Sequence, residues 1–97
     1  MKKVFNLIDS KKKIERVADQ ARAEIKRYIK REQGKTLPEG VDYWDFDCQI
    51  GKDSGNASEI HFSKISEEIG KIVSKGEQSF YLEILAKPGV RTKKKEL

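Results

Sequence analysis

The sequence is poor in residues that form covalent or metal cross-links. Among its 97 residues there is one cysteine, Cys48, and one histidine, His61. A single cysteine cannot form an intrachain disulfide, and a histidine without a second histidine or cysteine ligand is a poor zinc signature. The apolar residues Phe46 and Ile50 on either side of Cys48 predict a buried thiol in a reducing compartment.

Long apolar runs are also missing. No segment approaches the roughly 20 apolar residues that a membrane-spanning helix needs, so we expect no membrane partner. The apolar stretch from Val4 to Ile8 is interrupted by Asn6 and followed by Asp9, which is not typical of a signal peptide. These absences predict a cytoplasmic protein.

The chain contains no motif that specifies a reaction. It has no nucleophile elbow, no CxxC pair and no His-Glu-x-x-His helix. Gly51 and Gly55 flank a polar loop, but the lysine and helix of a phosphate-binding loop do not follow. We therefore predict no cofactor and favour a noncatalytic role over an enzyme.

Charge is abundant but unevenly distributed. Charged residues make up 38% of the chain and the net charge is +5. Residues 11–35 carry ten basic and four acidic side chains, residues 87–97 carry five and one, and residues 36–86 carry four and ten. Two positive segments thus flank a negative one, which predicts a surface with distinct basic and acidic regions.

Hydrophobic periodicity predicts a helix and a strand in the first half of the chain. Apolar residues recur three and four positions apart from Ile14 to Ile29, which indicates a helix that ends near Gly34 with a left-handed cap. Apolar and polar residues alternate from Tyr43 to Ile50, which indicates a half-buried strand with Trp44 and Phe46 facing the core. A short strand over residues 3–8 precedes them.

The second half predicts two strands around a second helix. Ser63 or Ser66 is expected to cap this helix, whose apolar stripe ends before Gly76. The strands are predicted at residues 59–62 and 80–85, the latter closed by Pro88-Gly89. The order β-α-β-β-α-β predicts an α+β, ferredoxin-like domain over residues 1–89, with an antiparallel four-stranded sheet in the order 4-1-3-2 and both helices on one face. Residues 90–97 are predicted to form a flexible basic tail.

Three segments resemble a known protein family. They are Leu-Pro-Glu-Gly-Val-Asp-Tyr-Trp-Asp-Phe-Asp-Cys at 37–48, Ser-Phe-Tyr-Leu-Glu-Ile-Leu-Ala-Lys-Pro-Gly at 79–89 followed by Arg-Thr-Lys-Lys, and Arg-Tyr-Ile-Lys-Arg-Glu at 27–32. Together they are similar to a family of small bacterial proteins classed as a domain of unknown function. The resemblance implies a bacterial cytoplasmic protein and supplies no catalytic residue.

The basic residues form the first candidate site. Lysines and arginines along one helix face can neutralise phosphates and release counterions from RNA or DNA. Glu15, Asp19 and Glu24 are interleaved with them, so an ordinary solvated helix face is the alternative. The predicted nucleic-acid-binding residues are Arg16, Arg22, Lys26, Arg27, Lys30 and Arg31 of the helix, and Arg91, Lys93, Lys94 and Lys95 of the tail.

The sheet face opposite the helices is the second candidate site. Asp45, Asp47, Glu59 and His61 would project from adjacent strands, where they could bind a divalent cation or form an acid-base pair. Glu83 is expected to lie three strands from Asp45 and therefore outside this site. A solvated acidic face is the alternative.

The same face could also support self-association. Tyr81, Leu85 and one side of the first strand would leave a partly apolar surface, through which a homodimer could form. RNA-binding domains of this topology instead stack bases on aromatic residues of the two central strands. Tyr43 and Tyr81 are predicted on edge strands beside several carboxylates, so we expect any RNA to bind at the helix side.

Overall fold

The computed structural model describes residues 1–90 and has an α+β fold. The predicted order β-α-β-β-α-β and the antiparallel four-stranded sheet are confirmed. No helix within these residues is long and apolar enough to cross a membrane. The elements are β1 (Lys2–Asn6), α1 (Ile14–Gln33), β2 (Tyr43–Gly51), β3 (Ala57–Ile60), a short 3-10 helix (Phe62–Lys64), α2 (Ile65–Ser74) and β4 (Ser79–Gly89).

The strand order differs from the predicted 4-1-3-2. The sheet has the order β1-β4-β2-β3, so β4 is inserted between β1 and β2, and β1 and β3 are the edges. β4 and β2 are the longest strands, with 11 and 9 residues, and they pair over the whole length of β2. Strand β1 pairs only with β4, and its Val4 is 60% exposed. The prediction placed β1 in the centre because its residues are apolar on both faces, but β4 has the longer buried face.

One hydrophobic core lies between the sheet and the two helices. The inward residues Phe80, Leu82 and Ile84 of β4 have no exposed surface. They form a single cluster with Ile25 of α1 and Ile69 of α2, which places both helices on the same face of the sheet. Burial of these apolar side chains is the main term that stabilises such a fold.

The predicted alternation in β2 is confirmed. Phe46, Cys48 and Ile50 are buried, whereas Asp45 and Asp47 alternate with them and lie on the open face of the sheet. Trp44 packs at the margin of the core and remains half-buried, and its indole Nε1 donates a hydrogen bond to the Lys35 carbonyl at 3.0 Å.

The helix ends differ in their geometry. Helix α2 is followed by Gly76 with φ +76°, the left-handed conformation that is common after a helix C-terminus. Helix α1 also ends where predicted, but Gly34 is right-handed, with φ −82°, and its N–H donates to the carbonyls of Lys30 and Arg31. The prediction of a left-handed cap at Gly34 was therefore wrong, because the last turn of α1 closes by tightening instead.

Three strands have boundaries that differ from the prediction. Strand β1 is Lys2–Asn6, so it ends two residues before the predicted end at Ile8. Strand β3 is Ala57–Ile60, so His61 lies beyond it and precedes the 3-10 helix. Strand β4 continues through Pro88-Gly89 because these residues pair with Trp44 and Tyr43 of β2. Proline lacks the N–H that ladder pairing normally uses, which is why its presence suggested an end to the strand.

Core position predicts how much each aromatic ring contributes to stability. Phe80→Ala should lower the free energy of unfolding by about 3–5 kcal/mol because the ring is fully buried. Trp44→Ala should cost less than Phe80→Ala because the indole stays half-exposed. Urea unfolding followed by circular dichroism would measure both values, and an equal or larger loss for Trp44→Ala would contradict this view of the core.

Candidate functional site

The basic residues predicted on helix α1 lie away from its core-facing stripe. Ala18, Ala21 and Ile25 face the core and are buried. The six predicted basic residues occupy the remaining faces of the helix, where Arg22 is partly buried and the other five are exposed. The five exposed residues, called the α1 basic face below, are Arg16, Lys26, Arg27, Lys30 and Arg31.

The acidic residues of α1 are mostly neutralised by other cations. Asp19 pairs with Arg22 at 3.0 Å, Glu24 with Lys3 of β1 at 2.6 Å, and Glu32 with Lys35 beyond the helix. Within residues 1–90, no salt bridge involves a residue of the α1 basic face. The interleaved acids therefore leave five cations available to an external anion.

Arg22 is held in place by helix α2. Its Nε and Nη2 atoms donate to the Ser66 carbonyl at 3.3 and 3.0 Å, and Nη1 bonds to Asp19. These contacts link α1 to the first turn of α2. Arg22 thus differs from the other predicted binding residues, since most of its donors are already used within the protein.

A groove runs between α1 and the start of α2. Its volume is about 690 Å³. Buried Ile25, Ile65 and Ile69 form the floor, whereas exposed Lys26 and Lys30 lie on the rim. The groove has no signal in the sequence, because periodicity assigns residues to helix faces without showing how two helices are spaced.

A second basic cluster lies just before α1. Lys11, Lys12 and Lys13 line a shallow depression together with Arg16 and two acidic residues of the first helical turns. The consecutive lysines were counted in the basic segment but not selected as site residues. The predicted tail residues Arg91, Lys93, Lys94 and Lys95 lie outside the described residues.

The open face of the sheet carries carboxylates in ordered rows. Glu83 of β4 lies directly opposite Gln49 of β2, whose other neighbour is Glu59 of β3. Glu83 is therefore one strand from β2, and the prediction that three strands separate it from Asp45 was wrong because β4 is central. Lys2 lies on the other side of Glu83 in the same row.

The structure does not bring Asp45, Asp47 and His61 together around one point. The Asp47 carboxylate pairs with Lys87 at 2.7 Å, and the Asp45 carboxylate accepts a hydrogen bond from the Phe46 N–H. The hydrogen bond to Asp47 is the main factor that raises the pKa of Lys87 above its ordinary value. Among residues 1–90, no three His, Cys, Asp or Glu side chains cluster closely enough to hold a metal ion.

His61 has a structural partner instead. Its Nδ1 accepts a hydrogen bond from the Ser63 N–H at 3.2 Å and lies 2.8 Å from the Ser63 Oγ, so His61 caps the 3-10 helix. The predicted capping serines, Ser63 and Ser66, do not cap α2 through their side chains, since α2 continues directly from the 3-10 helix.

The aromatic residues of the open face lie on central strands, contrary to prediction. Tyr43 of β2 is 38% exposed and its ring packs over Gly89 in the neighbouring strand. Tyr81 of β4 donates a hydrogen bond from its hydroxyl to Glu83, which raises the pKa of Tyr81. Glu83 separates Tyr81 from Leu85 along β4, so the apolar residues do not form one continuous patch. The homodimer through this face stays a prediction.

Cys48 is a core residue without the features of a nucleophile. It is 1% exposed, and burial is the largest cause that raises the pKa of its thiol from 9.0 to about 11, followed by the charges of Asp47 and Asp45. Nucleophilic cysteines are thiolates with lowered pKa values. The predicted role of Cys48 as a small apolar core residue fits this environment.

Comparison with known proteins identifies a family. The model of a family of unknown function, DUF6172, matches residues 1–95. The chain belongs to the DUF6172 family. No curated protein and no solved structure matches it. The match covers the residues of the α1 basic face, the groove and the open sheet face.

The capping role of His61 in this DUF6172 protein can be tested by substitution. His61→Ala should lower the free energy of unfolding by about 0.5–2 kcal/mol, the usual cost of losing a helix cap. His61→Asn should recover most of that loss, because an asparagine side chain can accept the same N–H. Thermal unfolding would give both values, and equal destabilisation by the two variants would contradict the capping role.

Proposed function

We propose that this protein is a noncatalytic binding module for nucleic acid, RNA or DNA, and that it binds through the α1 basic face and the basic C-terminal tail. The observation that carries the proposal is the pairing pattern on α1. Three of its four acids, Asp19, Glu24 and Glu32, pair with Arg22, Lys3 and Lys35, and the exposed cations form no salt bridge among residues 1–90. Unpaired cations aligned on a helix are the usual source of sequence-independent phosphate binding.

The charge on the opposite side of the fold also favours binding of the nucleic acid at α1. Within residues 1–90, the open sheet face presents Asp45, Asp47, Glu59 and Glu83 beside two lysines, Lys2 and Lys87. One of these lysines, Lys87, is already paired with Asp47. Carboxylates repel phosphate, so a nucleic acid approaching this face would lose affinity, whereas one approaching α1 would gain it.

The lysines before α1 extend the proposed surface. Lys11, Lys12 and Lys13 adjoin Arg16 at the start of the helix. Together with the α1 basic face they provide cations at both ends of the helix, which spans about 30 Å for 20 residues. A surface of this length can contact several phosphates, and affinity should therefore depend steeply on salt.

Replacing part of this surface should weaken binding without unfolding the protein. The quadruple variant K26Q/R27Q/K30Q/R31Q should bind short RNA and DNA less tightly for every sequence, because backbone contacts carry no sequence information. Each contact removed should reduce the slope of log affinity against log salt by about 0.7 for single strands and 0.9 for duplexes. Fluorescence anisotropy at several salt concentrations would measure both quantities.

A charge-matched control separates local contacts from net charge. The variant K52Q/K64Q/K71Q/K75Q removes the same number of positive charges from exposed positions outside α1. It should retain most of the affinity and the salt slope. Equal weakening by the two variants would show that the loss of affinity comes from the lower net charge and not from contacts at α1. No binding by the wild-type protein at about 50 mM salt would refute the proposed function.

The tail should make a smaller contribution than the helix. Deletion of residues 93–97 removes three lysines from the chain terminus. Fixing a chain segment costs about 1–2 kcal/mol of backbone entropy per residue, which offsets part of the charge attraction. Anisotropy titrations should therefore show a smaller loss for the deletion than for the quadruple variant. A larger loss would make the tail the main binding element.

A further inference from the structure

The groove between α1 and α2 combines an aliphatic floor with a cationic rim. Ile25, Ile65 and Ile69 are each less than 5% exposed, and Ile29 beside them is half-buried. A volume of about 690 Å³ lies within the range of roughly 300–1,000 Å³ that is typical of small-molecule sites. Its lining is mostly apolar with a few polar groups, as in such sites.

The rim can bind one anionic group. Lys26 and Lys30 are exposed, lie one helical turn or about 6 Å apart along α1, and form no salt bridge within residues 1–90. Ser63 and Ser66 line the same groove. The third cation, Arg22, already bonds to Ser66 and Asp19, which leaves the two lysines for the ligand.

The shape of the lining favours a flexible chain over a ring system. Four of the five apolar residues in the groove are isoleucines, and the fifth, Phe62, packs edge-on against Phe46 and is stacked with His61. A basic segment of the same protein is unsuited as the occupant, because residues 91–95 contain four cations that the rim would repel.

We propose that the groove binds a single aliphatic carboxylate of the fatty-acid type, with its chain over the isoleucines and its carboxylate between Lys26 and Lys30. The positive charges of Lys26 and Lys30 favour the carboxylate head group, and the apolar floor favours the aliphatic chain. The occupant is a free acyl carboxylate in solution rather than a lipid within a membrane surface. This site goes beyond the proposed nucleic-acid surface, with which it shares two lysines.

A homologous series of ligands tests the apolar floor. Octanoate, decanoate and dodecanoate, each kept below its micelle concentration, would be titrated into the full-length protein by isothermal calorimetry. Each added methylene should lower Kd by up to about fourfold until the chain exceeds the groove. A Kd that does not change with chain length would overturn the proposal, as would the absence of binding.

The cationic rim is tested by two matched double variants. K26Q/K30Q should weaken decanoate binding by about 2- to 25-fold, the range expected for two exposed charge contacts. R27Q/R31Q removes the same charge from residues that do not line the groove and should leave Kd unchanged. Equal effects of the two variants, or binding of uncharged decanol as tight as that of decanoate, would overturn the proposed head-group contact.

The position of the chain is tested at Ile29. Ile29→Gln should weaken decanoate binding, whereas Val73→Gln, at a half-buried position outside the groove, should not. NMR shift changes in the wild-type protein should concentrate around the groove, which keeps the test valid if a variant unfolds. Shifts centred elsewhere would overturn the proposal. Binding to phosphatidylglycerol vesicles without binding to monomeric decanoate would also overturn it.

These results are distinguishable from failure of the nucleic-acid proposal. Decanoate binding depends on Ile29 and does not depend on Arg27 or Arg31. Nucleic-acid binding depends on Arg27 and Arg31 together with Lys26 and Lys30. The variant R27Q/R31Q therefore reports on the nucleic-acid surface, and the variant Ile29→Gln reports on the groove.

Discussion

The central position of strand β4 is the constraint on which the rest of the structure depends. Phe80, Leu82 and Ile84 alternate along this strand and are completely buried, and its partners β1 and β2 satisfy its backbone on both sides. A strand with exposed edges would leave those backbone groups to water or to another chain. The core residues of both helices belong to the same cluster as this buried row, together with Phe5 of β1 and Phe46 of β2, so both helices lie on the face to which this row points.

A sheet covered on one face leaves the two sides of the protein chemically different. The helices cover the apolar face, and the basic residues of α1 point away from it into solvent. Among the residues that the structure describes, the uncovered face carries the carboxylates of the central segment, with lysines only at Lys2 and Lys87. The basic and acidic segments of the chain thus lie on opposite sides of one domain. This separation of basic and acidic surfaces needs no special charge pairing, because it follows from which face of the sheet the helices occupy.

Local sequence patterns predicted the strands and helices. They did not predict which strands pair or how the two helices are spaced. The alternation from Trp44 to Ile50 and the stripe from Ile14 to Ile29 describe contacts within one element, and both were confirmed. Strand order depends on contacts between residues far apart in the sequence, such as Phe5 with Phe80, for which the sequence has no local signal. The same reason explains the misplaced Glu83 and the groove that was not predicted. His61 was predicted within a strand because hydrophobic periodicity cannot locate a single residue at the end of an element.

The pairing of acids on α1 changes what its charge pattern means. By sequence, four acids among six basic residues on the helix are typical of a solvated face. In the structure, Glu24 is neutralised by Lys3 of β1 and Glu32 by Lys35, which lie outside the helix. Only one acid, Asp19, pairs with a basic residue of α1 itself. Because exposed pairs contribute little to stability, about 0–1 kcal/mol each, their main effect is on the field that an approaching anion meets. The charge that a helix presents to a partner is the charge of the cations that are not paired within the fold. On α1 this positive charge is larger than the helix sequence alone indicates, because Lys3 and Lys35 pair with two of its acids.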